Sequence, residues 1–113
     1  MRILYLAIDQ TVPGTTGGPV HVAQVAIGLA ALGHEVHVAI TPGKETLPDS
    51  PVHWHFIRPP LGWRQLRWMR LRRVETLARE LRADVIIERY YNFGGEGVWA
   101  AKRTGALAVL EVN

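Results

Sequence analysis

The sequence lacks cysteine, and charged residues make up only 20% of its 113 positions. Without cysteine, disulfides and thiolate metal sites are excluded, and a reducing compartment such as the cytoplasm is expected. Long apolar runs are lacking too, since none approaches the roughly 18 residues that a membrane-spanning helix requires. The apolar opening at 1–8 is too short for a secretory leader, and Asp9 follows it directly. Because 48% of the residues are hydrophobic, the chain is predicted to form one globular domain.

Positive charge is concentrated in one part of the chain. The net charge is +3, and eight of the 13 lysine and arginine residues lie between Arg58 and Arg82. This favours a local basic patch over a nucleic-acid-binding protein. Residues 63–82 are predicted to be helical, and the first half mixes arginine with tryptophan, as helices on anionic membranes do. The alternative is a solvated helix whose long side chains cover apolar surface. The candidates for membrane contact are Trp63, Arg64, Arg67, Trp68 and Arg70.

Strand-like and helix-like segments alternate along the sequence. Strands are predicted at 2–8, 35–40, 52–57, 84–88 and 107–112. Helices are predicted at about 19–32, at 63–82, and after a glycine-rich loop up to Lys102. This order predicts an α/β fold: a three-layer, Rossmann-like, doubly wound and mainly parallel sheet with strand order 3-2-1-4-5. The connection between the second and third strands contains no clear helix, so a short helical turn or an antiparallel edge strand is expected there.

Two glycine-rich loops are predicted to border a ligand crevice. In a sheet of this order the winding reverses between strands one and four, which opens a crevice at their carboxyl ends. Gly17 and Gly18 precede a helix, where free amide groups attract phosphate, although glycine is also common in ordinary surface turns. Glu88, Arg89 and Tyr90 end strand four, where they could bind sugar hydroxyls or form only an exposed ion pair.

Five segments together resemble the opening of family 4 glycosyltransferases. These enzymes begin with a strand, a Gly-Gly loop and a helix that closes in Leu-x-x-x-Gly-His-x-Val-x-Val. They continue with a Pro-Asp-Val-Ile-x-x-Arg strand and a fifth strand. The similar segments in this chain are 1–6, 17–22, 29–38, 83–90 and 107–113.

The resemblance implies a GT-B fold, in which two Rossmann-like domains face each other across a cleft. Residues 1–113 would be part of the N-terminal, acceptor-side domain, and the donor-binding domain with its Glu-x7-Glu motif is absent from this chain. Gly17 and Gly18 would approach the donor phosphates, and His21 follows in the same segment. Many relatives have a histidine at the end of strand five, where this chain has Asn113, so a histidine role cannot be transferred. Asn113 remains a substrate-side candidate.

The reaction that the resemblance implies is transfer of a sugar, with retention of configuration, from a nucleotide-diphosphate sugar to a glycan or lipid-linked acceptor. No metal or other cofactor is expected, and this chain alone is expected to be inactive. The alternative is a non-catalytic Rossmann-like module that docks to a membrane or a partner protein through residues 63–82. The open edge beyond strand five predicts either a homodimer or marginal stability.

Two histidines on the third strand are the only metal-ligand candidates that the pattern suggests. His53 and His55 share one face of the strand, opposite Val52, Trp54 and Phe56, and the alternation predicts an edge strand with one wet face. Both histidines could reach one metal ion, but no third ligand is evident from the sequence. A surface pair without a metal is therefore predicted.

Overall fold

The computed structural model describes residues 1–11, 17–41, 51–57, 64–89 and 95–111. Its elements follow the predicted alternation of strands and helices. In chain order they are β1 (Arg2–Thr11), α1 (Gly17–Ala31), β2 (Glu35–Thr41), β3 (His53–Phe56), α2 (Arg64–Leu81), β4 (Val85–Arg89), α3 (Glu96–Thr104) and β5 (Leu107–Glu111).

Within these ranges the strands form one parallel sheet in the order β3-β2-β1-β4-β5, which confirms the predicted fold class. The two strands with the longest buried runs, 3–7 in β1 and 36–40 in β2, lie next to each other inside the sheet. A strand that is covered on both faces needs apolar side chains at successive positions, and this explains why the runs are nearly continuous.

Helices cover both faces of the sheet. On one face, α1 packs against β1 and β2 through a core that includes Tyr5, Val22, Ala26, Val36, Val38 and Ile40. On the other face, α2 and α3 contribute to a core that includes Leu4, Leu6, Val74, Leu77, Ile86 and Ala100. The sheet and these two helical faces make the three layers that the sequence predicts.

Glycine ends two of the helices, as the pattern indicates. Gly33 after α1 has a φ of 95°, and Gly105 after α3 has a φ of 80°. Both values lie in the left-handed region. This conformation is unfavourable for residues that have a Cβ atom but not for glycine. The Gly105 amide donates to the carbonyl of Ala101 at 2.9 Å and so closes the last turn of α3.

The third strand runs parallel to β2, so an antiparallel edge strand is wrong, while the edge position is confirmed. The expected division into one wet and one dry face is not observed. His53 is exposed, His55 and Trp54 are half-buried, and Phe56 is 50% exposed. Because an edge strand is covered only in part on either face, exposed and buried side chains do not alternate along it. The connection at 42–50 lies outside the described residues.

One candidate for membrane contact is buried instead. Arg70 is 6% exposed, because it lies one helical turn before Val74 on the face of α2 that packs against the core. Its guanidinium forms an ion pair with Glu96 of α3. The expectation that Arg70 contacts a membrane is therefore wrong. The other candidates lie outside the residues or side chains that the structure describes: Trp63, Arg64, Arg67 and Trp68.

Among the described helices, none combines the length and apolar character that crossing a bilayer demands.

Candidate functional site

The chain reverses its winding between β1 and β4, and the ligand crevice is predicted at the carboxyl edge of the sheet there. The helix that follows β1 packs on one face of the sheet, and the helix that follows β4 packs on the other. This is the arrangement that places ligands at a switch point in open α/β sheets. Gly17 and Gly18 are the first residues of α1, where backbone amides have no partner within the helix. Contact between these glycines and phosphate stays a prediction.

Glu111 gathers three side chains at this edge. Its Oε1 accepts a hydrogen bond from the Tyr5 hydroxyl at 2.8 Å and lies 3.3 Å from His21 Nε2 and 3.6 Å from an Arg89 guanidinium nitrogen. The register explains the convergence, because Arg89 pairs with Glu111 across β4 and β5. Two predicted substrate-binding residues, His21 and Arg89, are thus brought together.

The electrostatics of this group follow from its burial. The Tyr5 side chain is fully buried, and burial, followed by the neighbouring Glu111 carboxylate, raises the pKa of its phenol well above the ordinary value. Tyr5 therefore stays protonated and donates to Glu111. The His21 side chain is 44% exposed, against 13% for Arg89. An accessible imidazole backed by a carboxylate can bind hydroxyl or phosphate groups.

Tyr5 and Glu111 are members of this site that the sequence analysis missed. Tyr5 was included in a continuous apolar strand, and Glu111 in the last one. A signal for Glu111 was present, because it is the one charged residue in the run 107–112. Such a residue near the carboxyl end of an otherwise apolar strand is a candidate for a ligand crevice.

Glu88 is separated from this group, contrary to expectation. Successive side chains of a strand point to opposite faces, so the Glu88 and Arg89 side chains lie on opposite faces of the sheet. Glu88 is 4% exposed, and its Oε1 accepts a hydrogen bond of 2.6 Å from the Gly95 amide. It therefore fixes the start of α3. The two remaining candidates, Tyr90 and Asn113, lie outside the described residues.

A second polar cluster lies at the amino ends of β2 and β3. His37 pairs in register with His53, and their rings stack with centroids 4.6 Å apart. His37 Nδ1 lies 2.9 Å from His55 Nε2, and His37 Nε2 lies 3.5 Å from Glu35 Oε2. Burial lowers the pKa of both His37 and His55. The predicted surface pair on β3 is therefore half of a four-residue cluster, in which ligand atoms of Glu35, His37 and His53 lie within 4.8 Å of one another. The absence of a metal from the pair of His53 and His55 stays a prediction.

Comparison with known structures supports the fold. A glycosyltransferase from Rickettsia africae superposes with a TM-score of 0.74 at 14% identity, covering 96% of this chain and 28% of the other. The C-terminal domain of a Pyrococcus furiosus hydrogenase superposes with a TM-score of 0.54 at 16% identity, covering 97% of this chain and 89% of the other. At these identities the likeness shows the fold alone. The chain spans little more than a quarter of the length of the Rickettsia enzyme.

Sequence comparison identifies the family. Comparison with curated proteins gives no match. The model of Glycosyltransferase Family 4, in contrast, matches residues 15–110, which is most of the chain and runs from α1 to the fourth residue of β5. The chain therefore belongs to glycosyltransferase family 4.

Proposed function

We propose that this chain is the front part of the N-terminal, acceptor-side domain of a retaining GT-B glycosyltransferase. The reaction would transfer a sugar from a nucleotide-diphosphate sugar to a glycan or lipid-linked acceptor and would need no metal. The observation that carries this proposal is the convergence of His21, Arg89 and Glu111 at the switch-point crevice of a family 4 domain.

The division of labour follows from where the polar groups lie. The start of α1 offers the amides of Gly17 and Gly18 to the donor phosphates. On the same face, the half-exposed His21 ring offers a polar contact to the reacting sugar or the acceptor, and Glu111 orients that ring. Tyr5 and Arg89 hold the Glu111 carboxylate from the buried side. The donor nucleotide would be bound mainly by a second domain beyond this chain.

A transfer assay tests the proposal on the longest natural form of the protein, with a panel of nucleotide sugars and NMR assignment of the product anomer. We expect a retained configuration and activity that persists in EDTA. His21→Ala should lower kcat/KM by about 10- to 100-fold, the range for losing a hydrogen bond to a charged group. His34→Ala is the matched control, because His34 lies at the turn before β2, at the other end of the sheet.

Three results would count against the proposal: no transfer from any nucleotide sugar, an inverted product, or full activity in His21→Ala and Arg89→Ala. The 113-residue chain alone should bind nucleotide sugars weakly or not at all in calorimetry. Tight binding by this chain would place the donor site here rather than in a second domain.

We also propose that the first half of α2 attaches the enzyme to an anionic membrane surface. Arg70 takes no part in this contact, because it is buried. The support is compositional: Arg64, Arg67 and Trp68 lie in this half, and arginine with tryptophan suits an interfacial helix. Co-sedimentation with vesicles of phosphatidylglycerol tests it, with Arg67→Ala/Trp68→Ala compared against Lys102→Ala on α3. Equal binding by both variants would refute the proposal.

A further inference from the structure

We propose that Glu35, His37 and His53 form a binding site for a divalent metal ion of the zinc class. The site lies at the amino ends of β2 and β3, because Glu35 is the first residue of β2 and His53 the first of β3. Glu111 and the crevice lie at the opposite, carboxyl ends of the strands. The inference is therefore independent of the proposed transfer reaction, for which no metal is expected.

The donor set and its placement fit such an ion. Two imidazoles and one carboxylate are ligands that zinc takes while keeping a further position open for water. All three side chains share one face of the sheet, because Glu35 and His37 are two residues apart and His37 pairs with His53. One ligand atom from each lies within 4.8 Å of the others. Bonds of the usual length need ligand atoms about 3.4 Å apart, a closure that side-chain rotation can supply.

The Nε2 atom of His37 faces the space between these ligands. The His37 side chain is nine-tenths buried, and its Nε2 has no hydrogen-bond partner among the residues that the structure describes. Glu35 Oε2 is 3.5 Å away, which is longer than an ordinary hydrogen bond even if Nε2 carries the proton. If Nδ1 carries it, a lone pair on Nε2 faces the carboxylate. A cation between the two atoms satisfies both.

His55 has the position of a supporting group. Its Nε2 lies 2.9 Å from His37 Nδ1, so it can accept that proton and leave Nε2 of His37 free to bind the metal. Metal-binding histidines are commonly held through their second nitrogen in this manner. Arg2 lies 3.1 Å from Glu35 Oε2 and competes for the carboxylate, but the pair is half-exposed and therefore weak.

Binding should tie the edge strand to its neighbour. Because β3 has only four residues and pairs with β2 alone among the described strands, a metal shared by Glu35, His37 and His53 would add a second link between β3 and β2. A ligand that binds only the folded state stabilises it, and at 100 times its dissociation constant we expect the Tm to rise by about 10 °C.

The test uses the 113-residue chain without a histidine tag, in a buffer free of chelators. Equilibrium dialysis against Zn²⁺ should give one ion per chain, and Co²⁺ should give a visible absorption band from a low-symmetry site. His53→Ala should weaken Zn²⁺ binding by more than about 100-fold, and Glu35→Gln should weaken it too. His55→Ala should cost about 10- to 100-fold, as the loss of a supporting partner does.

His34→Ala is the matched control, because His34 Nδ1 lies 3.2 Å from the Met1 amino group and the two could bind metal adventitiously. The control should bind Zn²⁺ as the wild type does. His53 is exposed, so its variant should keep the fold, and circular dichroism checks this. The proposal would be overturned if Zn²⁺ showed no saturable binding, or if His53→Ala and Glu35→Gln bound it with wild-type affinity. Binding that disappears in His34→Ala but persists in His53→Ala would overturn it as well.

Discussion

Arg70 and Glu96 join α2 to α3 through an ion pair whose side chains are only 5% and 1% exposed. Removing one partner leaves a buried charge, which typically costs about 3–5 kcal/mol of folding free energy. We therefore expect Glu96→Gln and Arg70→Met each to lower the free energy of unfolding by that amount in urea titrations. The double variant should lose less than the sum of the two, because it leaves no uncompensated charge.

The matched control for this pair lies on the same helix. Arg79 and Glu75 form an i,i+4 pair in which Arg79 is 61% exposed, so Arg79→Ala should cost about 0–1 kcal/mol. Equal costs for Arg79→Ala and Arg70→Met would mean that the buried pair contributes no more than a surface pair does.

Gly97 allows α3 to approach the end of β4. A Cβ atom added at this position would lie 2.9 Å from the Glu88 Cβ, closer than such atoms approach, and 3.1 Å from Leu6 Cδ1, which is a tight contact. We expect Gly97→Ala to destabilise the protein by about 1–3 kcal/mol, as overpacking of a core does. Thermal unfolding followed by circular dichroism measures the change.

Gly28 provides the opposite case within the same protein. It lies in α1, and an added Cβ would meet nothing within 4 Å. Gly28→Ala should therefore stabilise the protein by about 0.5–1 kcal/mol, because alanine loses less backbone entropy in a helix. If Gly97→Ala were as stable as Gly28→Ala, the close packing of α3 on Glu88 would be refuted.

The sequence predicts the sheet better than the two polar clusters, and the reason is physical. Apolar runs and the glycines that end the helices are local signals, so the elements and their order could be predicted. The convergence of Tyr5 on Glu111, or of His37 on His53, depends on which residues lie opposite each other across paired strands. That register is fixed by packing of the whole sheet and leaves no local signal.

Tyr5 makes a pH dependence predictable. Burial and Glu111 raise the pKa of the Tyr5 phenol, while Arg89 lowers it, and the net shift is upward. The folded state thus keeps this proton at a pH where the unfolded state, with an ordinary tyrosine pKa near 10, loses it. The stabilisation is complete below pH 10 and declines as the pH rises towards the folded-state value.

Comparison with Tyr5→Phe isolates this effect. At neutral pH the variant should be less stable by about 1 kcal/mol, the usual net contribution of a hydrogen bond. Between pH 9 and pH 11 the wild type should lose stability more steeply than Tyr5→Phe, so that the difference between them shrinks. Parallel curves over that range would show that the Tyr5 phenol titrates normally in the folded protein.

The last strand leaves apolar side chains uncovered at an open sheet edge. Leu107, Val109 and Leu110 are 64%, 42% and 52% exposed, and within the described residues β5 has β4 as its one neighbour. Such an edge promotes pairing between chains, so we expect the 113-residue chain to self-associate as its concentration rises in light-scattering measurements.

Val109→Lys should restore a monomer. Leu32→Lys is the matched control, because Leu32 is 76% exposed but lies just beyond α1, away from the edge, and it should leave association unchanged. A wild-type chain that stays monomeric at all concentrations would contradict the prediction.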